Sequence, residues 1–465
     1  MDNRQFSNSQ RANHASEIIT SGHVWKAVWY LAWPTAINTL ILTAYNIINR
    51  LFLGRLSNAE EALAAVGIGG TVLMIQFALT IGLSAGTAAL ASRFLGAQNY
   101  QDAEDVTRQS LILSIIAAVI TGLPLILFAT PLVQLVGAKG NVIALASDYT
   151  AIISWFSAPL FVYLIAQTAI RSAGDAKSPL YAGAIIITIN VLFDWLLIFG
   201  IGPFPALGVR GAAISTGISR VAGVAVTFWF LRRSILGKSL ESWHIHPGWF
   251  RRILNIGWPA SIQNILWTTA YAGFVKILAY LPGGQATAAQ AALTVAITIE
   301  SIAFMPGIAY STAATPLVGQ NLGAGKPQRA EHTAWVATGQ AVFIMTAVAI
   351  LFFFAPQWLA RLFTADAVVV PLIVSYLRIN ALAEPFLAVS MVLRGALQGA
   401  GETRVPAWIT FITYWLIRVP LAWLLAITLG YGPTGAWIAM SLTTFLSGVL
   451  VAIWFVWGKW RSVQI

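Results

Sequence analysis

The sequence predicts an all-α membrane protein with twelve transmembrane helices in two six-helix lobes, and three observations carry that prediction. First, hydrophobic residues fill 58% of the 465 positions and charged residues only 9%, against roughly 25% charged in an ordinary soluble domain. A soluble globule of this length has no interior large enough for so much apolar surface, whereas a bilayer removes the need to hide it. Second, the apolar residues fall in twelve runs of about 20 or more residues, the length that crosses a hydrocarbon core. Third, motifs of the first half return in the second half at a constant offset. The 19 Trp fit the same class, because indole rings favour the membrane–water interface.

Taken in order, the runs are separated by polar turns that carry the basic residues. Arg55 lies between 27–53 and 62–92, and Arg93 and Arg108 lie between the latter and 108–136. Lys139 precedes 144–170, Arg171 and Lys177 precede 179–201, and Arg210 opens 210–231. A basic stretch from Arg232 through Arg233, Lys238 and Arg251 to Arg252 leads into 253–281, which is followed by 287–315. Lys326 and Arg329 precede 332–355, and Arg361 precedes 369–398, whose last turns hold Arg394. Arg404 precedes 406–429, and Lys459 and Arg461 follow 434–457.

An even number of spans places both ends on one side, and cytoplasmic loops carry the excess of Lys and Arg. With the N-terminus inside, eighteen basic residues face inward, counting Arg4, Arg11 and Lys26, against five outward: Arg50, Arg55, Lys139, Arg210 and Arg361. The expected orientation is therefore N-in, C-in, in the cell inner or plasma membrane. The expected organisation is a cytoplasmic tail (1–26), an N-lobe (27–231), a cytoplasmic linker (232–252), a C-lobe (253–458) and a cytoplasmic tail (459–465). Residues 1–25 lack the apolar core of a signal peptide, so the first span is expected to serve as its own insertion signal.

Composition also excludes function classes. Without Cys there is no disulfide, thiol or zinc–thiolate chemistry. The net charge of +11 is scattered singly or in pairs between apolar runs, which fits topology signals and not a nucleic-acid patch. No nucleotide-binding loop, Ser/His/Asp set or metal-hydrolase pattern is present, so neither an enzyme nor a cofactor is expected. His244 and His246 read as part of a solvated linker, and Asp175 and Glu402 as caps on equivalent turns.

The repeat is visible in three pairs of strings. "LAWPTAINTLILTAYN" at Leu31 returns as "IGWPASIQNILWTTAY" at Ile256; "SRFLGAQNYQDAE" at Ser92 as "GQNLGAGKPQRAE" at Gly319; and "RSAGDAKSP" at Arg171 as "QGAGETRVP" at Gln398. The last two pairs share an offset of 227 residues. Six spans per half give both repeats one orientation, so a pseudo-twofold axis along the membrane normal and a mid-membrane cavity are expected. Pro34 and Pro259 occupy matching places in the first helix of each half, where a missing backbone N–H permits a kink or hinge.

These strings resemble the multidrug and toxin extrusion (MATE) transporters over essentially the whole chain. The resemblance rests on the paired WP helices, "YNIINRLFLGRL", "IRSAGDAKSP", "INVLFDW", "GAAIST" and "LVGQNLGAGKPQRA". It implies a secondary exporter of amphiphilic, often cationic organic compounds or drugs, exchanged for Na⁺ or H⁺ by alternating access of two lobes. The implied unit is a monomer among membrane lipids, and its partners are the organic substrate and the coupling ion. A lipid-linked saccharide flippase of the same superfamily is the alternative; it calls for a strongly basic central cavity, whereas the mid-membrane charges here are of both signs.

Ionisable groups are expensive in lipid, so each one inside a span is a functional candidate. At about 1.5 Å per residue, Asn49, Asp194 and Thr216 reach one level, roughly 6–10 Å below the outer ends of their spans. Tyr45 and Asn49 share one helix face by their four-residue spacing, as do Asn190 and Asp194. Oxygen groups around a carboxylate suit Na⁺; a desolvated carboxylate alone suits a proton. The resemblance implies an ion site at Asn49, Asn190, Asp194 and Thr216, with Asn49 standing where the family has Asp. Gln167 is added to this polar set, and Arg220, one turn from Thr216, is a candidate partner for Asp194. In the second half, Lys276, Glu300, Arg378, Glu384 and Arg418 form a mixed cluster, read either as a neutral structural network or as a setting for a titrating Glu300.

The inferred orientation has a direct test. A single Cys replacing Lys238 in this Cys-free chain should react with a membrane-impermeant thiol reagent only after the cells are opened, and labelling of intact cells would reverse the topology.

Overall fold

The computed structural model describes residues 17–282 and 284–463. Arg4 and Arg11 lie outside the described residues. No strand occurs among those described. The helices are α1 (Val24–Leu53), α2 (Ala59–Gly96), α3 (Tyr100–Leu127), α4 (the bent pair Asn141–Trp155 and Ser157–Ser172), α5 (Lys177–Phe199) and α6 (Val209–Arg232). They continue with α7 (Pro247–Ala279), α8 (Gln285–Gly323), α9 (Pro327–Phe354), α10 (the bent pair Val369–Ala381 and Glu384–Gly399), α11 (Arg404–Thr428) and α12 (Gly432–Trp457).

Among the described residues, nine of these helices are singly long and apolar enough to cross a membrane, and the two bent pairs bring the number to eleven. The twelfth, α7, has 33 residues, about 50 Å at the helical rise, but its polar positions lower its hydropathy. The protein is thus an integral membrane protein. Large apolar side chains such as Leu51, Ile120, Leu127, Phe343, Phe354 and Trp408 are exposed on its helices, as lipid-facing positions must be.

The chain forms two compact units. One gathers Trp33–Ser261; the other joins Ile18–Ala32 to Ile262–Ile465. The sequence places the lobe starts at residues 27 and 253, whereas the compact units divide within α1 and α7, beside Pro34 and Pro259. Both helices run unbroken through these prolines. The segment before Trp33 is tied to the second unit by backbone carbonyls: Arg329 donates to those of Ile19 at 3.0 Å and Gly22 at 2.5 Å, and Lys326 to that of Thr20 at 2.9 Å. The interlobe linker is tied to the first unit by Gln109, which donates to the His244 carbonyl (2.6 Å) and accepts from the His246 N–H (2.9 Å).

Each unit repeats the same backbone devices. The fourth helix of each half breaks, α4 by 52° at Phe156 and α10 by 58° at Leu382–Ala383. The turn after that helix takes a left-handed residue at Gly174 (φ 85°) and Gly401 (φ 84°), a separation of 227 residues. The turn after the second helix of each half does the same at Gln98 (φ 58°) and Gly325 (φ 70°), again 227 apart. Asp175 accepts from the N–H groups of Lys177 and Ser178 at 3.0 and 2.9 Å, and Glu402 from that of Val405 at 3.3 Å, so both acids cap the helix that follows. In the second unit a core of Phe274, Leu293, Phe352, Tyr376 and Trp437 packs α7, α8, α9, α10 and α12 together.

A Cβ in the left-handed region costs roughly 1–2 kcal/mol. Gly401→Ala should therefore lower the melting temperature of the purified protein, while Gln98→Gly should leave it unchanged or raise it. The reverse order would contradict the assigned turns.

Candidate functional site

Two polar clusters lie inside the spans, one in each unit. In the first unit, α5 and α6 approach closely because Gly211 has no side chain; a methyl there would meet the Leu197 carbonyl. This brings Asn190 and Asp194 of α5 against Ser215 and Ser219 of α6. Asp194 is fully buried and its Oδ1 accepts a hydrogen bond from the Ser215 hydroxyl. Asn190 is 3% exposed, and its Nδ2 donates to Ser219 Oγ at 3.0 Å. The remaining acceptors, Asp194 Oδ2 and Asn190 Oδ1, are buried and have no hydrogen-bond partner.

From α1, Asn49 Nδ2 donates to Tyr45 Oη at 3.0 Å, and Tyr45 stands beside Thr216 and within electrostatic reach of Asp194. Thr216 Oγ1 also donates to the Ala212 carbonyl at 2.8 Å. The five positions Tyr45, Asn49, Asn190, Asp194 and Thr216 are thus brought together. Arg220 is not paired with Asp194: its Nη1 donates to the Ile153 carbonyl at 3.2 Å, in the last turn before the break in α4. A helix end leaves its final carbonyls unpaired, so they attract a cation. Gln167 lies apart. It donates to Tyr163 Oη at 2.5 Å and accepts from Arg171 Nη1 at 3.1 Å, forming a stripe along α4.

In the second unit, Glu300 of α8 is 5% exposed and its Oε2 accepts from Tyr376 Oη at 2.6 Å. Glu384 of α10, 1% exposed, stands beside Glu300 and within its electrostatic reach, and its Oε2 is buried with no hydrogen-bond partner. Arg418 of α11 lies within electrostatic reach of Glu300. Its Nε donates to Thr443 Oγ1 at 2.7 Å and its Nη2 to Thr444 Oγ1 at 2.8 Å. Lys276 and Arg378 are exposed and form no ion pair among the described residues, so the five-residue network does not assemble. Arg378 stands two residues from buried Tyr376, which turns it to the opposite face of α10.

Sequence reasoning missed Ser215, Ser219, Tyr376 and Thr443. Their only signal is the spacing of hydroxyls by four on α6 and their coincidence in depth with the acids, and hydroxyls are common in helices.

Because Asp194 has no cationic partner, Asp194→Asn should leave the protein folded and close to wild type in thermal stability. Breaking a buried ion pair costs about 3–5 kcal/mol. A melting-temperature loss of that order, restored by adding Arg220→Gln, would contradict the observed partners.

Comparison with known proteins places this geometry in context. The family model described as MatE matches residues 34–196 and 259–424, one stretch in each half. The chain is 28% identical over 443 residues to a probable multidrug resistance protein NorM of Thermotoga maritima, covering 93% of this chain and 92% of that one. It is also 28% identical over 440 residues to an FAD transporter of Shewanella oneidensis, covering 93% and 94%. Among solved structures, the outward-facing conformation of a multidrug resistance MATE family transporter of the MOP superfamily superposes with a TM-score of 0.87 at 24% identity, covering 95% of this chain and 97% of that one.

Proposed function

The chain belongs to the MatE family, and from that premise we propose that it is a monomeric secondary exporter of amphiphilic organic solutes, often cationic, driven inward-to-outward by entry of Na⁺ or H⁺. That it is a transporter follows from the family. The coupling, the solute class, the placement in the cell inner membrane and the cytoplasmic termini are the proposal.

The observation that carries the coupling is the pair of buried acceptors without partners, Asp194 Oδ2 and Asn190 Oδ1, one helical turn apart on α5. Leaving such a group unpaired costs about 1–3 kcal/mol, more for a charged one. A monovalent cation answers both: Na⁺ takes the two oxygens as ligands, while H⁺ neutralises Oδ2 and turns it into a donor. The amide at Asn49 cannot titrate, which leaves Asp194 as the single ionisable carboxyl of this cluster. Cation entry reaches α1 through Thr216 and Tyr45, and α1 carries Pro34, the proposed hinge; Pro259 plays the same part in α7. In the second unit, Glu300 with Glu384 beside it is the second candidate coupling group, since gaining or losing a proton there changes the charge opposite Arg418.

Export should be measured in proteoliposomes with Na⁺ and pH gradients imposed separately and a fluorescent cationic dye as solute. The proposal expects one gradient to drive uptake into inverted vesicles and Asp194→Asn to abolish it, with Glu300→Gln reducing it less. Gradient-driven transport at the full rate in Asp194→Asn would remove Asp194 as the coupling group, and dye movement indifferent to both gradients would remove secondary transport.

A further inference from the structure

The second unit carries positive charge that its buried acids do not face. Glu300, with Glu384 beside it, lies within electrostatic reach of Arg418. Arg394, near the far end of α10, has no acidic partner among the described residues. Neither arginine forms an ion pair among the described residues. Both guanidinium groups instead approach one ring, that of Tyr414: Arg418 Cζ lies 4.1 Å and Arg394 Cζ 5.9 Å from its centroid.

The surroundings are hydroxyls, not carboxylates. Arg394 Nη2 donates to Ser447 Oγ at 2.7 Å, and Ser447 is 3.1 Å from Ser390 Oγ. Tyr414 stands beside Ser447 as well as the two guanidinium groups. Arg394 Nε is buried with no partner. A guanidinium offers five N–H donors in a planar fork suited to phosphate or carboxylate oxygens, and here several remain unspent. Arg394 is partly exposed, whereas Arg418 is 9% exposed. Tyr414 and Arg418 stand in a π-helical stretch, Phe411–Arg418, a local distortion that recurs at functional sites.

We propose that Arg394 and Arg418, set about Tyr414, form a subsite for the anionic oxygen group, phosphoryl or carboxylate, of a transported organic solute. A cation held by neutral hydroxyls, as Arg394 is, is costly inside a membrane unit until an anion joins it. The exporter would then accept amphiphiles carrying a negative group as well as cationic ones. This rests on the reading of the chain as a solute exporter, but binding in detergent needs no gradient, so its failure would leave gradient-driven dye export standing.

The test uses two fluorescent probes that differ by one phosphate, riboflavin and FMN, titrated into lipid-free protein in detergent. FMN should bind more tightly than riboflavin, and inorganic phosphate, but not chloride at equal ionic strength, should displace it. Removing one partner of a buried charge pair costs 2 kcal/mol or more, so Arg394→Gln should weaken FMN binding by about 30-fold or more while riboflavin is unaffected. Arg394→Lys, which keeps the charge and loses the fork, should fall between, and it serves if Arg394→Gln fails to fold. Equal binding of the two flavins, an FMN preference that survives Arg394→Gln, or no binding of FMN together with no phosphate displacement would overturn the proposal. Arg394-dependent competition by phosphatidylglycerol with none by phosphate would assign the site to a lipid headgroup and overturn its role in solute recognition.

Discussion

In hydrocarbon, each backbone and side-chain polar group has to find its partner within the protein, and the architecture follows from that constraint. It makes the chain helical, because a helix satisfies its own backbone. It turns Leu, Ile, Phe and Trp outward and draws hydroxyls inward, where Thr80, Thr87, Thr107, Thr168 and Thr410 donate to carbonyls one turn back. Several buried oxygens are nonetheless left open, and where two of them stand one turn apart, one of them on a carboxyl group, a bound cation is expected. Asp194 Oδ2 and Asn190 Oδ1 are such a place.

The two halves share a backbone plan and differ in what they bury. Both break the fourth helix, both turn on a left-handed residue at the same offsets, and both cap the next helix with an acid. Within that common frame the first unit sets one carboxyl among hydroxyls and amides. The second sets two neighbouring carboxyls and two arginines around Tyr376 and Tyr414. A duplicated scaffold has thus been filled with two different charge arrangements: a single acid suited to a cation, and a basic stretch suited to an anion.

Much of this was legible in the sequence, and the failures have a common cause. Span positions follow from the length of apolar runs, and only α7 strains that rule because its polar residues dilute it. The Tyr45, Asn49, Asn190, Asp194 and Thr216 cluster follows from depth and four-residue spacing. Depth alone does not fix the rotation of a helix about its axis, however. Arg220 and Asp194 lie at similar levels, yet Arg220 turns to the end of α4's first segment; Arg378 lies near Glu384 in depth but faces outward. Gln167 fails for the same reason, pairing along its own helix with Tyr163 and Arg171. The division of α1 and α7 between units was also hidden, because it depends on backbone carbonyls of Ile19, Gly22 and His244, which no side-chain pattern records.

The central claim is that the open oxygens at Asp194 and Asn190 receive the coupling cation. Infrared difference spectra of the purified protein, recorded on exchanging Na⁺ for K⁺ and separately on stepping pH, observe carboxyl groups directly. The account predicts a carboxyl band that changes with one of these cations, disappears in Asp194→Asn and is shifted in Asn190→Ala. A cation-induced carboxyl band that persists unchanged in Asp194→Asn would contradict it.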